Sequence, residues 1–169
     1  MSDTTPLVTL LMGSDSDWPD LQGCYDTLKE FGIEVEVKVC SAHRTPDDAA
    51  EFAANAHKNG RQVLIAAAGM AAHLGGVLAA HSPLPIIGIP MASGALPGSD
   101  ALLSTVQMPP GVPVACVGIG KPGAKNAALL AVQIMATANP DLQKKFIEYK
   151  AKMADQVRQK NQKLQEQLK

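Results

Sequence analysis

QVLIAAAGMAAHLGGVLAA, residues 62–80, carries the decisive pattern. Gln62–Ala68 is apolar without alternation, so a strand there has both faces covered, as in a parallel sheet between two helical layers. Gly69 ends the run, and the Ala- and Leu-rich stretch Met70–Ala80 reads as a helix. The unit is strand, glycine turn, helix.

Similar units flank it on both sides. Pro6–Met12 is a short apolar run that stops at Gly13, and Asp17–Phe31 is a helical pattern closed by Gly32. Ile33–Cys40 alternates Val with Glu and Lys, the mark of a strand with one wet face near a sheet edge. Pro46–Asn59 is helical and ends at Gly60. Downstream follow a strand at Pro85–Ile89, a short helix at Asp100–Gln107, a strand at Val112–Val117 and a helix at Ala124–Ala138. Five strands separated by helices require right-handed crossovers. The expected fold is therefore α/β: a doubly wound, flavodoxin-like three-layer sandwich with a parallel sheet.

Charge divides the chain near Asn139-Pro140. Residues 1–140 hold 7 basic and 12 acidic side chains, net −5, whereas 141–169 hold 8 and 4, net +4. Asn139 is an N-cap candidate with Pro140 at the first helical position. Beyond it Leu142, Phe146, Tyr149, Met153, Val157, Leu164 and Leu168 recur mostly at three- and four-residue steps, one apolar stripe on a long helix. Residues 1–138 are thus expected to form the flavodoxin-like domain. Residues 139–169 are expected to add an amphipathic helix whose stripe packs on an oligomer, since the domain before it already has a complete core.

Composition excludes several classes. The 169 residues suit one domain, on a prior of roughly 100–200 residues each. With 46% hydrophobic and 18% charged residues the chain is not a disordered one. A net charge of −1 and six aromatic residues argue against nucleic-acid binding. Apolar stretches are interrupted well short of the ~18 residues a membrane span needs. Met1–Thr5 lacks a basic leader region, and the three cysteines, Cys24, Cys40 and Cys116, are odd in number without CxxC spacing. A reduced, cytoplasmic protein is expected.

In an open parallel sheet, ligands bind beyond the carboxyl ends of the strands. Three segments fall there and should share one rim. Gly13–Asp17 offers Ser14, Ser16 and Asp17 where a helix begins. One of these can serve as a cap; the others suit a phosphate or ribose hydroxyls. Ser41–Pro46 places His43 beside Arg44, an imidazole able to move a proton near neutral pH and a guanidinium able to hold an oxyanion. Ser41 and Thr45 are equally readable as phosphate donors or caps. In the third segment, Gly69, Gly75 and Gly76 would let a ligand approach the backbone closely. His73, one helical turn in, either lines the pocket or packs. His57 and His81 read as solvated.

Other motifs fail. Gly118–Pro122 lacks the upstream glycine and the Ser or Thr of a Walker A loop, no GxGxxG opens the first helix, and no HExxH or thiolate pattern is present. No metal and no cofactor are inferred.

The motifs GSDSDW (13–18), SAHRTP (41–46), AAGMAAHLGG (67–76), SGALPGSDALLSTVQMP (93–109) and GKPGAKNAALLAVQI (120–134), in this order, resemble the phosphoribosylaminoimidazole carboxylase catalytic-subunit family in its bacterial mutase branch. The resemblance covers most of 7–138. It implies an isomerase of purine biosynthesis that converts N5-carboxyaminoimidazole ribonucleotide to 4-carboxy-5-aminoimidazole ribonucleotide. It also implies a flavodoxin-like core and a homo-octamer with sites near subunit junctions. By that resemblance His43 is the general acid/base, Ser14 and Asp17 bind substrate with Asp17 on the ribose, and Arg44 contacts the phosphate. Ser16, Ser41 and the backbone near Gly69 complete the cradle. His73 flanks the pocket for the migrating CO2, walled by Met70, Ala71, Ala72 and Leu74. Two alternatives stay open: a direct aminoimidazole ribonucleotide carboxylase using CO2, and a non-catalytic nucleotide-binding module.

Overall fold

The computed structural model describes residues 7–168. Pro6, the Met1–Thr5 stretch read for a leader, and Lys169 lie outside the described residues. The described chain divides into two compact units, one ending at Ala131 and one beginning at Val132.

The first unit holds a five-stranded parallel sheet. Its strands are β1 (Val8–Met12), β2 (Val35–Val39), β3 (Val63–Gly69), β4 (Ile86–Met91) and β5 (Ala115–Cys116), in the order β2-β1-β3-β4-β5. This is the flavodoxin-like order expected from the sequence. β3 is central and its first five residues are buried, as its unbroken apolar run requires. β2 is an edge strand, as its alternation of Val with Glu and Lys led us to expect, but the valines face out: Val37 and Val39 are exposed, whereas Glu36 and Lys38 are half-buried.

Helices α1 (Trp18–Glu30), α2 (Pro46–Ala56), α3 (Leu74–His81), α4 (Ser99–Val106) and α5 (Gly120–Ala136) connect or follow the strands. Leu11, Leu64 and Ala66 on one sheet face pack with Ala49 and Ala53 of α2 and Leu74 and Leu78 of α3. The thiol of Cys24 in α1 is buried, and burial pushes it up to about 12. It is an inert core group rather than a nucleophile.

Three elements start three or four residues from where they were expected. The helix expected over Met70–Ala80 begins only at Leu74, because Met70 takes φ 56°, a left-handed backbone that a helix cannot include. The strand expected over Val112–Val117 pairs only at Ala115–Cys116. Pro113 has no N–H for the ladder, and Val112 N–H turns back to Pro109 C=O at 3.2 Å. Conversely α5 starts four residues early, at Gly120. Pro122 sits in its first turn, where no N–H is required. Gly123 is needed there, since a Cβ would lie 1.5 Å from the Gly118 carbonyl oxygen.

The second unit contains the end of α5 and α6 (Pro140–Gln167). The Asn139 side chain accepts the Leu142 N–H at 3.1 Å, the cap expected from Asn-Pro.

Candidate active site

β1 and β3 are neighbours, yet the chain leaves β1 toward β2 and later returns to β3 on the other side. That is the reversal point at which doubly wound sheets open a crevice. Gly13 N–H donates to Ala67 C=O at 3.1 Å and closes the floor between the two strands. Above it lies a cleft of ≈ 390 Å³. The lining includes Ser14, Ser16, Asp17, Ser41, His43, Arg44, Gly69 and His73, the residues to which the resemblance gives catalysis or substrate binding.

The β1 end is a one-turn 3₁₀ helix at Asp15–Asp17 leading into α1. Ser14 caps that turn: its Oγ accepts Ser16 N–H at 3.3 Å and the Ser16 hydroxyl at 2.8 Å. Asp17 precedes α1 without capping it, so its carboxylate remains available to the cleft. Burial, with Asp20 nearby adding repulsion, holds the Asp17 carboxyl above the ordinary carboxylate range.

The β2 end is a self-bonded loop. Thr45 Oγ1 donates to Ser41 C=O at 3.0 Å and accepts Ser41 N–H at 3.1 Å, and it makes no side-chain cap on α2. Thr45 is therefore a loop brace. Ser41 Oγ accepts Arg44 N–H at 3.2 Å and lies 3.4 Å from Arg44 Nε, while Arg44 Nη2 donates to Gly13 C=O at 2.8 Å. These contacts aim the guanidinium across the β1 end.

The same loop presents His43. Its Nε2 lies 2.7 Å from Nδ1 of His73, the rings meeting edge-on at 78°. His73 is thus a cleft residue rather than a packed one. It is also not one turn inside a helix: it is the residue immediately before α3, placed there by the left-handed turn at Met70.

Several expectations need correction. Gly75 and Gly76 do not line the cleft. Both lie inside the first turn of α3, where a Cβ on Gly75 would touch Val114 and one on Gly76 would touch Met108, so their smallness serves packing. Of the expected apolar walls, Met70, Ala71 and Leu74 line the cleft, but Ala72 is buried behind it. Gly69 does line it, and its lack of a side chain also has a packing reason: a Cβ there would lie 1.7 Å from Ser93 Oγ. Glycine leaves room for that hydroxyl. Ser93, on the loop after β4, is a lining residue that sequence reasoning missed, although it lies within the quoted SGALPG motif.

An α/β enzyme of the flavodoxin-like class, with its site at the sheet's reversal point and an imidazole pair beside an anchored arginine, is what this arrangement defines. The AIR carboxylase family model matches residues 7–156, and the chain belongs to that family. It is 51% identical over 160 residues to the N5-carboxyaminoimidazole ribonucleotide mutase of Mycobacterium tuberculosis, covering 95% of this chain and 91% of that protein. It is 53% identical over 143 residues to the mutase of the same name from Bacillus subtilis, covering 85% and 88%. Among solved structures, Treponema denticola PurE superposes with a TM-score of 0.84 at 29% identity, covering 94% of this chain and 98% of that one.

Proposed function

We propose that this chain is an isomerase of purine biosynthesis that converts N5-carboxyaminoimidazole ribonucleotide to 4-carboxy-5-aminoimidazole ribonucleotide. The observation that carries the reading is the His43–His73 contact inside a nucleotide-sized cleft that also presents Arg44 and Asp17.

Strand order arranges the parts. Ser41 and Arg44 follow β2, Ser14, Ser16 and Asp17 follow β1, and Gly69 to His73 follow β3. A nucleotide laid along that rim meets Arg44, Ser41 and Ser16 with its phosphate, Asp17 and Ser14 with its ribose, and the β3 end with its heterocycle. The N5–carboxyl bond breaks first, leaving its electron pair on the aminoimidazole and releasing CO2 beside it. Carbon four then attacks that CO2, and His43 removes the C4 proton to restore the aromatic ring. The released proton is returned to the exocyclic nitrogen, so the balance closes without an added reagent. Holding CO2 against C4 replaces a bimolecular encounter, an advantage that reaches effective molarities of about 10⁵ M in well-oriented systems.

Retention of CO2 requires a covered site, whereas His43, Arg44 and His73 are exposed in the single chain. We infer that a second copy supplies the cover and that the protein is a homo-oligomer, an octamer by family resemblance, with no nucleic-acid or membrane partner. Exposed Leu103 and Val106 on α4 and Ile147 and Val157 on α6 support that part of the reading. A cytoplasmic location, drawn from the cysteine count, belongs to it as well.

Incubation of the full chain with N5-carboxyaminoimidazole ribonucleotide, without ATP, metal or biotin, tests the activity. Formation of the 4-carboxy product is expected. Product formed only from aminoimidazole ribonucleotide and bicarbonate would instead establish the direct carboxylase, and tight nucleotide binding without turnover a binding module.

A further inference from the structure

Ser104 lies outside the cleft, on α4, and faces the loop that joins β3 to α3. Its Oγ accepts the Ala72 N–H at 3.0 Å and lies 2.8 Å from the Asp100 carbonyl oxygen, with the Ala101 and Met70 carbonyl oxygens farther off at 3.2 and 3.5 Å. A hydroxyl has one proton to donate. Given to Asp100, it leaves a lone pair directed at the loop. Ala72 is 2% exposed, so its N–H has no water to turn to; Ser104 is what satisfies it.

That single bond sits at a sensitive place. The loop enters through Met70 in a left-handed backbone that side chains rarely adopt, and it leaves through His73, the residue next to Ala72. A non-glycine residue stays in such a conformation only where the surroundings over-determine it. The Ser104 bond supplies one of those constraints, and it acts one peptide away from the imidazole that touches His43.

We propose that Ser104 is a positioning residue for the His43–His73 pair, holding His73 Nδ1 at hydrogen-bond distance from His43 Nε2 through the Ala72 amide. The proposal rests on the reading of His43 as the acid/base of the mutase reaction. Without the hydroxyl, the Ala72 N–H must find another acceptor, the loop shifts, and the pair separates.

The test compares Ser104→Ala, Ser104→Thr and Thr105→Ala in the full-length protein. Thr105 is the neighbouring structural hydroxyl: it bonds Ala101 C=O at 2.7 Å and makes no bond to the loop. Ser104→Ala is expected to lower kcat about tenfold to a hundredfold, the scale of a misplaced catalytic group, while KM stays within about threefold. Ser104→Thr, which keeps the acceptor oxygen, should recover most of that loss, and Thr105→Ala should lose thermal stability but keep kcat within about twofold of wild type. A kcat for Ser104→Ala within twofold of wild type would overturn the proposal. So would losses in Ser104→Ala and Thr105→Ala that simply track their melting temperatures. Imidazole ¹⁵N spectra of the substrate-free proteins give a second reading that needs no turnover. The His43 and His73 resonances should move in Ser104→Ala and return in Ser104→Thr; unmoved resonances in a folded Ser104→Ala also overturn it. If the wild-type chain fails to turn over the N5-carboxylated nucleotide, the functional reading falls, and the ¹⁵N spectra still decide whether Ser104 sets the histidine contact. Should Ser104→Ala not fold, Ser104→Cys, with a longer and weaker acceptor, is expected to show the same changes at intermediate size, and wild-type behaviour in that variant would overturn the proposal.

Discussion

Nε2 of His43 and Nδ1 of His73 lie 2.7 Å apart, joining the loop after β2 to the loop after β3 across the end of β1. Two imidazoles at that distance share one proton, since two N–H groups pointed at each other repel. The contact therefore engages Nε2 of His43 and leaves its Nδ1 outside that bond. In the function we propose, His43 moves the proton and His73 decides which nitrogen is available for it.

Replacing His43 with Asn keeps a polar group opposite His73 but removes the proton carrier. Turnover is expected to fall about 10²- to 10⁴-fold, the range of positioned acid/base groups, with little change in melting temperature because the residue is exposed. Steady-state rates decide it: activity above a tenth of wild type would assign the proton transfer elsewhere.

Arg44→Lys preserves charge and loses the fork that now reaches Gly13 C=O and Ser41 Oγ. Calorimetry with the 4-carboxy product nucleotide should show affinity about tenfold weaker, in line with the loss of a charge-assisted hydrogen bond. Unchanged affinity would remove Arg44 from the phosphate.

Asp17 ties binding to stability. Its carboxyl is held above the ordinary value of 3.8 by burial and then by Asp20, so the folded protein takes up that proton more readily than the unfolded chain. The favourable contribution is complete below 3.8 and is lost as pH rises through the raised folded value, which leaves ionised Asp17 as a cost at neutral pH. Asp17→Asn is therefore expected to melt higher than wild type at pH 7, with the gap closing toward acid, while nucleotide affinity falls. Thermal scans across pH, run beside calorimetry, check both halves. A variant that melts lower at pH 7 would contradict the assignment of cause.

The parts legible in sequence are those set by patterns along one segment. The apolar run of β3, the Val-Glu-Val-Lys alternation of edge strand β2 and the polar clusters after β1 and β2 each carry their own signal, and topology then brings them to one rim. What stayed hidden depends on contacts between segments. The left-handed turn at Met70 that delays α3 lies in a loop whose Ala72 N–H is taken by Ser104, 32 residues away, which no helix pattern can report. Gly69 reads as a ligand approach in sequence, and the notch it also provides for Ser93 has no signal there. Gly75 and Gly76 belong to helix packing for the same kind of reason: the side chains that demand their smallness, Val114 and Met108, come from another part of the chain.

That notch is testable. An alanine at Gly69 would set its Cβ 1.7 Å from Ser93 Oγ and 3.0 Å from Ser93 Cβ, so the serine must move. Overpacking of this kind costs about 1–3 kcal/mol. Ser93→Ala removes the nearer atom, and the Gly69→Ala, Ser93→Ala double variant is expected to be more stable than the two single losses added together. Denaturant unfolding of the four proteins measures the coupling, and strict additivity would show that Ser93 does not occupy the space.

α6 gives the final expectation. It runs for 28 residues from a capped start, and Ile147, Val157, Leu164 and Leu168 are 63%, 66%, 52% and 71% exposed. A groove of ≈ 300 Å³ between the end of α5 and the start of α6 is lined by Ala136, Phe146 and Ile147, so apolar surface is concentrated on this unit. Isolated exposed apolar side chains are ordinary, but several of them on one helix and its C-cap, beside such a groove, are the kind of patch that marks a protein contact. In the oligomer we propose, a closed assembly of identical copies would bury it. Truncation after Asn139 removes α6 and leaves the cleft residues in place, so it should lower the oligomer's mass or its melting temperature. Light scattering of the full-length and truncated chains at micromolar concentration measures the first and calorimetry the second. A full-length monomer would defeat the expectation, as would an assembly that loses α6 without any change in mass or stability.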